Sequence, residues 1–302
     1  MSKALPNRPL NPRRIGVLAY HAFTQLVRMK VFYFLAIFAV IVIGANFLEL
    51  PTHAAPEAAG VDVLYAIKNT SIGCMSIFSI VIAIVATGLL LPKDVEDRTL
   101  YTILAKPVPR LDYLLGKLLG VTSLIFVSML AMDLLMTGVL ALRMNSVLDE
   151  QTLRLQSFGA GPDVIAAQLS ETRALGPTWN LQGAVFVVFL RSVVLACIAL
   201  LLSTFSTSTL FTAIVGFLVV FIGFFQADAR EMYFGDAGVL GKIGSGAMTT
   251  ILPDLQIFNV IDAIIEGKPL EALDLLKITG ATFFYFLVYT FCSWMIFARK
   301  EF

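Results

Sequence analysis

Six stretches of the chain are apolar over roughly the 20 residues that a membrane-spanning helix requires: 31–50, 72–92, 114–142, 182–203, 210–227 and 277–298. Polar segments of unequal length separate them, and none is large enough to hold a soluble core. The pattern predicts an all-α integral membrane protein with six transmembrane helices. These form one domain, 31–302, behind a cytoplasmic N-terminus, 1–30. An even number of spans places both termini on the same side of the membrane.

The polar segments have periodicities of their own. Over 12–30, Arg14, His21, Gln25 and Arg28 share one narrow stripe, while Ile15, Leu18, Ala22, Leu26 and Met29 form an apolar face. This predicts an N-terminal amphipathic interfacial helix lying along the inner leaflet, which either anchors the chain or grips a partner. Outer segments are expected at 51–71, 143–180 and 228–276. Within the second, Gly159-Ala160-Gly161-Pro162 separates two polar, roughly helical pieces into a small external cap. Trp179 then sits where an interfacial aromatic is expected. In the third, Asp254 starts a helix that Gly267 ends and Pro269 cannot continue. Its residues 255–266 are too apolar for water and too few to span, which predicts a short re-entrant or interfacial outer helix.

Composition strengthens the membrane reading. Of 302 residues, 58% are apolar and 14% charged, and mean hydropathy is +0.85, whereas soluble domains are about one-quarter charged. The net charge of +1 hides a segregation of signs. With the N-terminus inside, the inner segments hold 13 Lys and Arg, against 8 over the much longer outer segments. That contrast is the positive-inside bias; 15 of the 21 acidic residues fall on the other side. The start, MSKALPNRPLNPRRIG, contains three prolines and no small-residue cleavage site, so it does not read as a cleaved signal peptide.

Motif chemistry is absent. No GxxxxGK[ST], HExxH, GxSxG or strand-to-helix GxGxxG occurs. The chain is therefore not expected to be an enzyme, to hydrolyse ATP or to carry a cofactor, a metal site or catalytic residues. The two histidines, His21 and His53, are placed on opposite sides of the membrane, which excludes a bis-histidine haem. Cys74, Cys197 and Cys292 read as small apolar helix residues. Nucleic acid is not an expected partner.

Two charges fall inside the spans. Asp133 lies 16 residues after Lys117 and Arg191 lies 12 before Ser203, heights of about 24 and 18 Å at 1.5 Å per residue. A long arginine side chain covers that difference, and an isolated charge in the membrane is costly. We therefore expect Asp133 and Arg191 to pair between adjacent helices, either as a bundle clamp or as a polar point on a substrate path. Gly116-x-x-x-Gly120 is expected to be a helix-packing notch.

The most densely charged element, K93-D94-V95-E96-D97-R98-T99-L100-Y101-T102-I103-L104-A105-K106-P107-V108-P109-R110, lies between two apolar runs. Asp94 precedes Arg98 by four residues, a helix-supporting spacing, and Leu100, Ile103 and Leu104 share a face. Pro107 and Pro109 disfavour helix at the residues before them. The expected product is a short cytoplasmic helix, a rigid break, and a new helix from about Arg110 into the membrane.

This element resembles the cytoplasmic motif of bacterial ABC transporter permeases of the ABC type-2 class. The matching positions are Glu96, Arg98-Thr99-Leu100, Ile103-Leu104, Pro107-Val108-Pro109-Arg110 and Gly116-Lys117. Arg98 replaces the usual small residue before Thr-Leu, and Pro109 the usual Ser before Arg. The layout of spans is similar over nearly the whole chain. The resemblance implies a permease subunit of an exporter in the bacterial inner membrane, moving its substrate by alternating access among membrane lipids. Its partners would be a second permease, identical or related, and two copies of an ABC ATPase that carry the ATP and Mg. A cytoplasmic coupling helix within 93–113 would dock on the ATPase through Asp94, Glu96, Arg98, Thr99, Leu100, Ile103, Leu104, Lys106, Pro107, Pro109 and Arg110. Two other classes compete. One is an ion-coupled secondary transporter, although the two halves show no internal repeat; the other is a non-transporting membrane scaffold docked through its outer segments. The substrate is unidentified, because apolar residues that line a path and those that pack a bundle have the same character.

Overall fold

Asn11 opens the first helix, α1 (Pro12–Val27), by accepting a hydrogen bond from the Arg13 amide at 3.0 Å, and Pro12 occupies the first helical turn. The computed structural model describes residues 10–45, 61–96, 108–206, 208–234, 238, 244, 253–265 and 268–300. Every regular element among them is helical. An extended Met29 breaks the chain between α1 and α2 (Lys30–Gly44). The 15 residues of α2 extend about 22 Å, short of a membrane core. The rest of the first predicted span, 46–50, lies outside the described residues.

The second apolar run is helical well beyond its predicted start. α3 (Val61–Val81) leads through a five-residue π-turn, Ile82–Ala86, into α4 (Thr87–Glu96). Residues 61–71, expected as outer loop, belong to this helix. Pro92 does not end it and is carried inside α4. The predicted break falls where expected on the other side: Pro109 is extended, and α5 begins at Arg110.

α5 (Arg110–Ser157) is the longest element, 48 residues or about 72 Å. A membrane core is about 30 Å thick, so α5 projects far beyond the expected span of 114–142. Between Arg143 and Phe158 there is no Gly or Pro to stop it. It ends where Gly159 turns left-handed, φ 73°, and α6 (Pro162–Ala174) folds back along it. The Thr172 hydroxyl donates to Gln151 Oε1 at 2.8 Å, and both residues are buried. The predicted cap is therefore a helical hairpin grown from a spanning helix.

α7 (Trp179–Phe205) is buried along most of its surface from Leu181 to Thr204, with Phe186 the exposed position within that stretch. It forms the axis of the bundle, touched by α3, α4, α5, α8 (Thr209–Phe234) and α10 (Ala272–Arg299). Trp179 at its start is 91% exposed. α8 crosses the second span closely: a Cβ on Gly216 would lie 2.7 Å from Ile84 of the π-turn.

The outer segment predicted as one helix is two pieces. Asp254 does cap it, accepting from the Gln256 amide at 3.0 Å. A single 3-10 turn, Leu255–Phe258, then gives way to α9 (Ile261–Ile265). A straight helix would spread these apolar side chains over several faces. The break instead lets the first piece pack on α8 and the second on α7 and α3. The expected stop at Gly267 lies outside the described residues.

Among the described residues five helices are long and apolar enough to cross a membrane, and the chain is a multi-pass membrane protein. Its outward stripes are apolar as well. Phe211, Ile214, Phe221 and Phe225 on α8, and Phe283, Leu287 and Phe291 on α10, are exposed at helical spacing.

Candidate functional site

The described residues that flank the charged segment, its two roots up to Glu96 and from Val108, are tied into the bundle. On the first side Asp94 is 3% exposed, although it was expected to be an ATPase-facing charge. It accepts a hydrogen bond from the Tyr113 hydroxyl at 2.5 Å and faces Lys117 Nζ at 2.7 Å. Lys117, itself 1% exposed, also donates to Gln25 Oε1 at 3.3 Å. Beside it, fully buried Asp112 pairs with Arg14 at 3.0 Å. Charges taken out of water persist only when paired and hydrogen-bonded. This network joins α1, α4 and α5.

On the second side Arg110 closes the last turn of α10. One of its terminal nitrogens donates to the carbonyls of Phe297, Ala298 and Lys300 at 2.5, 2.8 and 2.9 Å. A helix C-terminus leaves four carbonyls unbonded and carries partial negative charge, so a guanidinium there satisfies both. The Tyr113 ring stacks on Phe297 with centroids 5.8 Å apart, which links the two roots. Lys300 Nζ reaches the Thr204 carbonyl at the end of α7, at 3.2 Å. The start of α5 and the ends of α4, α7 and α10 thus gather at one end of the bundle.

The glycine notch belongs to the same assembly. A Cβ on Gly116 would lie 2.4 Å from Leu18 Cβ, and one on Gly120 would lie 2.8 Å from the Ala19 carbonyl oxygen. The expected packing role holds, and its occupant is α1. The contacts run in step, with Leu18 at Gly116, Ala22 at Gly120 and Leu26 sharing a cavity wall with Leu124. α1 therefore lies lengthwise on α5, pointing the same way, rather than free along a leaflet. Its polar stripe is divided accordingly: Arg14 and Gln25 turn inward to Asp112 and Lys117, while His21 and Arg28 stay exposed.

Asp133 and Arg191 do not pair. Asp133 accepts from Gln182 Nε2 at 3.2 Å. Arg191 donates to the Ser76 hydroxyl and stands 5.7 Å from the centre of the Phe224 ring. The expected heights, about 24 and 18 Å, assumed that Lys117 and Ser203 lie level. Arg110 is the residue level with Thr204, through their shared contacts at the end of α10. From that plane Asp133 is about 35 Å up α5 and Arg191 about 20 Å up α7.

Asp94, Pro109 and Arg110 are thus placed at the roots. Arg98, Thr99, Leu100, Ile103, Leu104, Lys106 and Pro107 lie outside the described residues, as does the side chain of Glu96. Sequence reasoning missed Asp112 and Tyr113. Their one visible signal was spacing: Asp112, Tyr113, Gly116, Lys117 and Gly120 recur along one side of the first turns of α5. Among the described residues no group of three or more His, Cys, Asp or Glu could hold a metal ion. No family model matches the chain, and no curated protein matches it.

Asp94 ties the end of α4 to α5, and Arg110 ties the start of α5 to the end of α10.

Proposed function

We propose that this chain is the membrane-spanning permease subunit of an ATP-binding-cassette exporter. In this reading the gathered helix ends face the cytoplasm of a bacterial cell. Segment 97–107 is the handle that a separate ATPase pushes, and a second permease completes the pathway. The observation that carries the reading is the anchoring of both roots of that segment, Asp94 on Tyr113 and Lys117, and Arg110 on the end of α10. A surface loop that served only to connect spans needs no buried ion pair at one root and a three-carbonyl clamp at the other. A buried pair holds a discrete arrangement, so a push on the segment moves α4, α5 and α10 together instead of deforming one loop.

The test is purification from the native membrane in mild detergent with a tag on this chain. A P-loop ATPase should copurify, and its ATP turnover should respond to the permease. Charge reversal at Glu96 or Arg98 should release the ATPase or abolish that response. An ATPase that remains bound and fully stimulated after residues 96–110 are disrupted overturns the mechanism. Gradient-driven transport with no ATPase present overturns the assignment.

A further inference from the structure

α5 and α7 run antiparallel, and two contacts fix their register: Asp133 meets Gln182, and the Phe126 and Phe189 rings meet edge to face at 5.6 Å. The second contact lies seven residues from the first on each helix, about 10 Å along the axis. Between the two the seam is open. Leu130 of α5 and Phe186 of α7 are both exposed there, and Phe186 is the one exposed position of α7 between Leu181 and Thr204. The Phe186 ring also lies 6.3 Å from that of Phe189. The outside of the bundle thus carries a short aromatic and aliphatic strip with a carboxylate at one end.

That carboxylate has no cation of its own. Asp133 is 8% exposed, and none of the ion pairs among the described residues includes it. It is held by the neutral Gln182 amide, whose Nε2 is shared with the Thr137 hydroxyl at 3.3 Å. A carboxylate at membrane depth is costly without a positive partner, and one shared amide does not neutralise it. The approach to it is open: Thr137 and Gln182 are half-buried, and Gly138 is exposed with nothing within 4 Å of a Cβ placed there. Exposed Trp179, an interfacial type of residue, lies three positions before Gln182 on α7. From that level the strip runs down α7 through Phe186 and Phe189, into the apolar depth of the bundle.

We propose that this seam binds a lipophilic organic cation, an ammonium or phosphonium centre carried on an apolar body. The charged centre takes the place of the Gln182 amide against Asp133, and the body lies along Leu130, Phe186 and the ring pair of Phe126 and Phe189. Aromatic side chains attract such cations as well as covering their apolar parts. A strongly hydrated metal ion makes no use of the apolar strip, and an anion of the same shape meets the carboxylate with the wrong sign. The proposal is independent of the reading of segment 97–107, because binding is measured with no ATPase present.

The experiment is equilibrium dialysis of tetraphenylphosphonium against the full-length protein in a neutral detergent, with empty micelles as the blank. Tetraphenylborate, the anion of the same shape, is the control. The phosphonium should bind saturably, one per chain, and the borate should show no saturable site. D133N keeps the shape of the side chain and an oxygen that accepts from Gln182, and should weaken the phosphonium about tenfold, the effect of one charge about 6 Å away in a half-solvated setting. D133E should retain most of the affinity. F186A, a change at an exposed position, should weaken it about two- to fivefold through loss of the ring, and this arm remains informative if D133N does not fold. Thermal unfolding without the probe checks the fold of each variant. Equal binding of phosphonium and borate, or undiminished binding in folded D133N or F186A, overturns the proposal. So does full displacement of the phosphonium by sodium chloride but not by N-methylglucamine chloride of equal ionic strength.

Discussion

Replacing Lys117 with Met removes the cation that faces Asp94 at 2.7 Å but keeps an unbranched stem in its place. The two side chains are 1% and 4% exposed, so water cannot replace the lost contact. Breaking a buried ion pair from one side costs about 3–5 kcal/mol. The Tyr113 hydroxyl still donates to Asp94, which places K117M near the low end, about 3 kcal/mol. D94N leaves the ammonium with Gln25 at 3.3 Å and belongs near the high end, about 4–5 kcal/mol. The double variant D94N/K117M contains neither charge, and its cost should be well below the sum of the two. A coupling of at least about 2 kcal/mol is expected for residues in one buried network. Thermal unfolding of the three variants in one detergent reads this out, at about 2 °C per kcal/mol for a chain of this length. K117M should melt about 6 °C below the parent, D94N about 8–10 °C below, and the double variant no more than about 10–12 °C below, against about 14–16 °C for the sum. Additive losses refute the reasoning, as does a single variant within 1 °C, on the order of half a kcal/mol, of the parent.

Two further outcomes follow from the packing. G120V forces α1 off α5, since even a Cβ would meet the Ala19 carbonyl oxygen at 2.8 Å and the Ala22 Cβ at 2.6 Å; a loss of about 3 kcal/mol or more is expected. G138A, with nothing within 4 Å, should be accommodated and should stabilise the helix by about 0.5–1 kcal/mol. D133A and R191A should have additive effects on unfolding, because their partners are Gln182 and Ser76 respectively; rescue by the swapped pair D133R/R191D contradicts the geometry.

Local signals in the chain were largely legible. The apolar runs, the helix start at Arg110, the break at Gly159-Ala160-Gly161-Pro162 and the Asp254 cap are written in short-range chemistry: hydrocarbon length, fixed proline φ, left-handed glycine and a side-chain acceptor. What failed were extents and partners. The third span continues to Ser157 because helix formation needs a stop signal, and hydropathy alone does not supply one. Asp133 was matched to Arg191, when its partner is Gln182, because heights counted along a helix have no common origin until the helices are docked.

The charged segment divides in the same way. That it is polar, proline-stiffened and on the positively charged side is a property of the sequence, since charge bias and backbone restriction act locally. That Asp94 faces inward to Lys117, that Arg110 reaches across to the end of α10, and that Gly116 and Gly120 receive α1 depend on contacts between residues far apart in the chain. Only packing decides which of the available partners a buried charge or a small residue meets, because each could be satisfied by several and only one set closes the bundle without voids or unpaired charge.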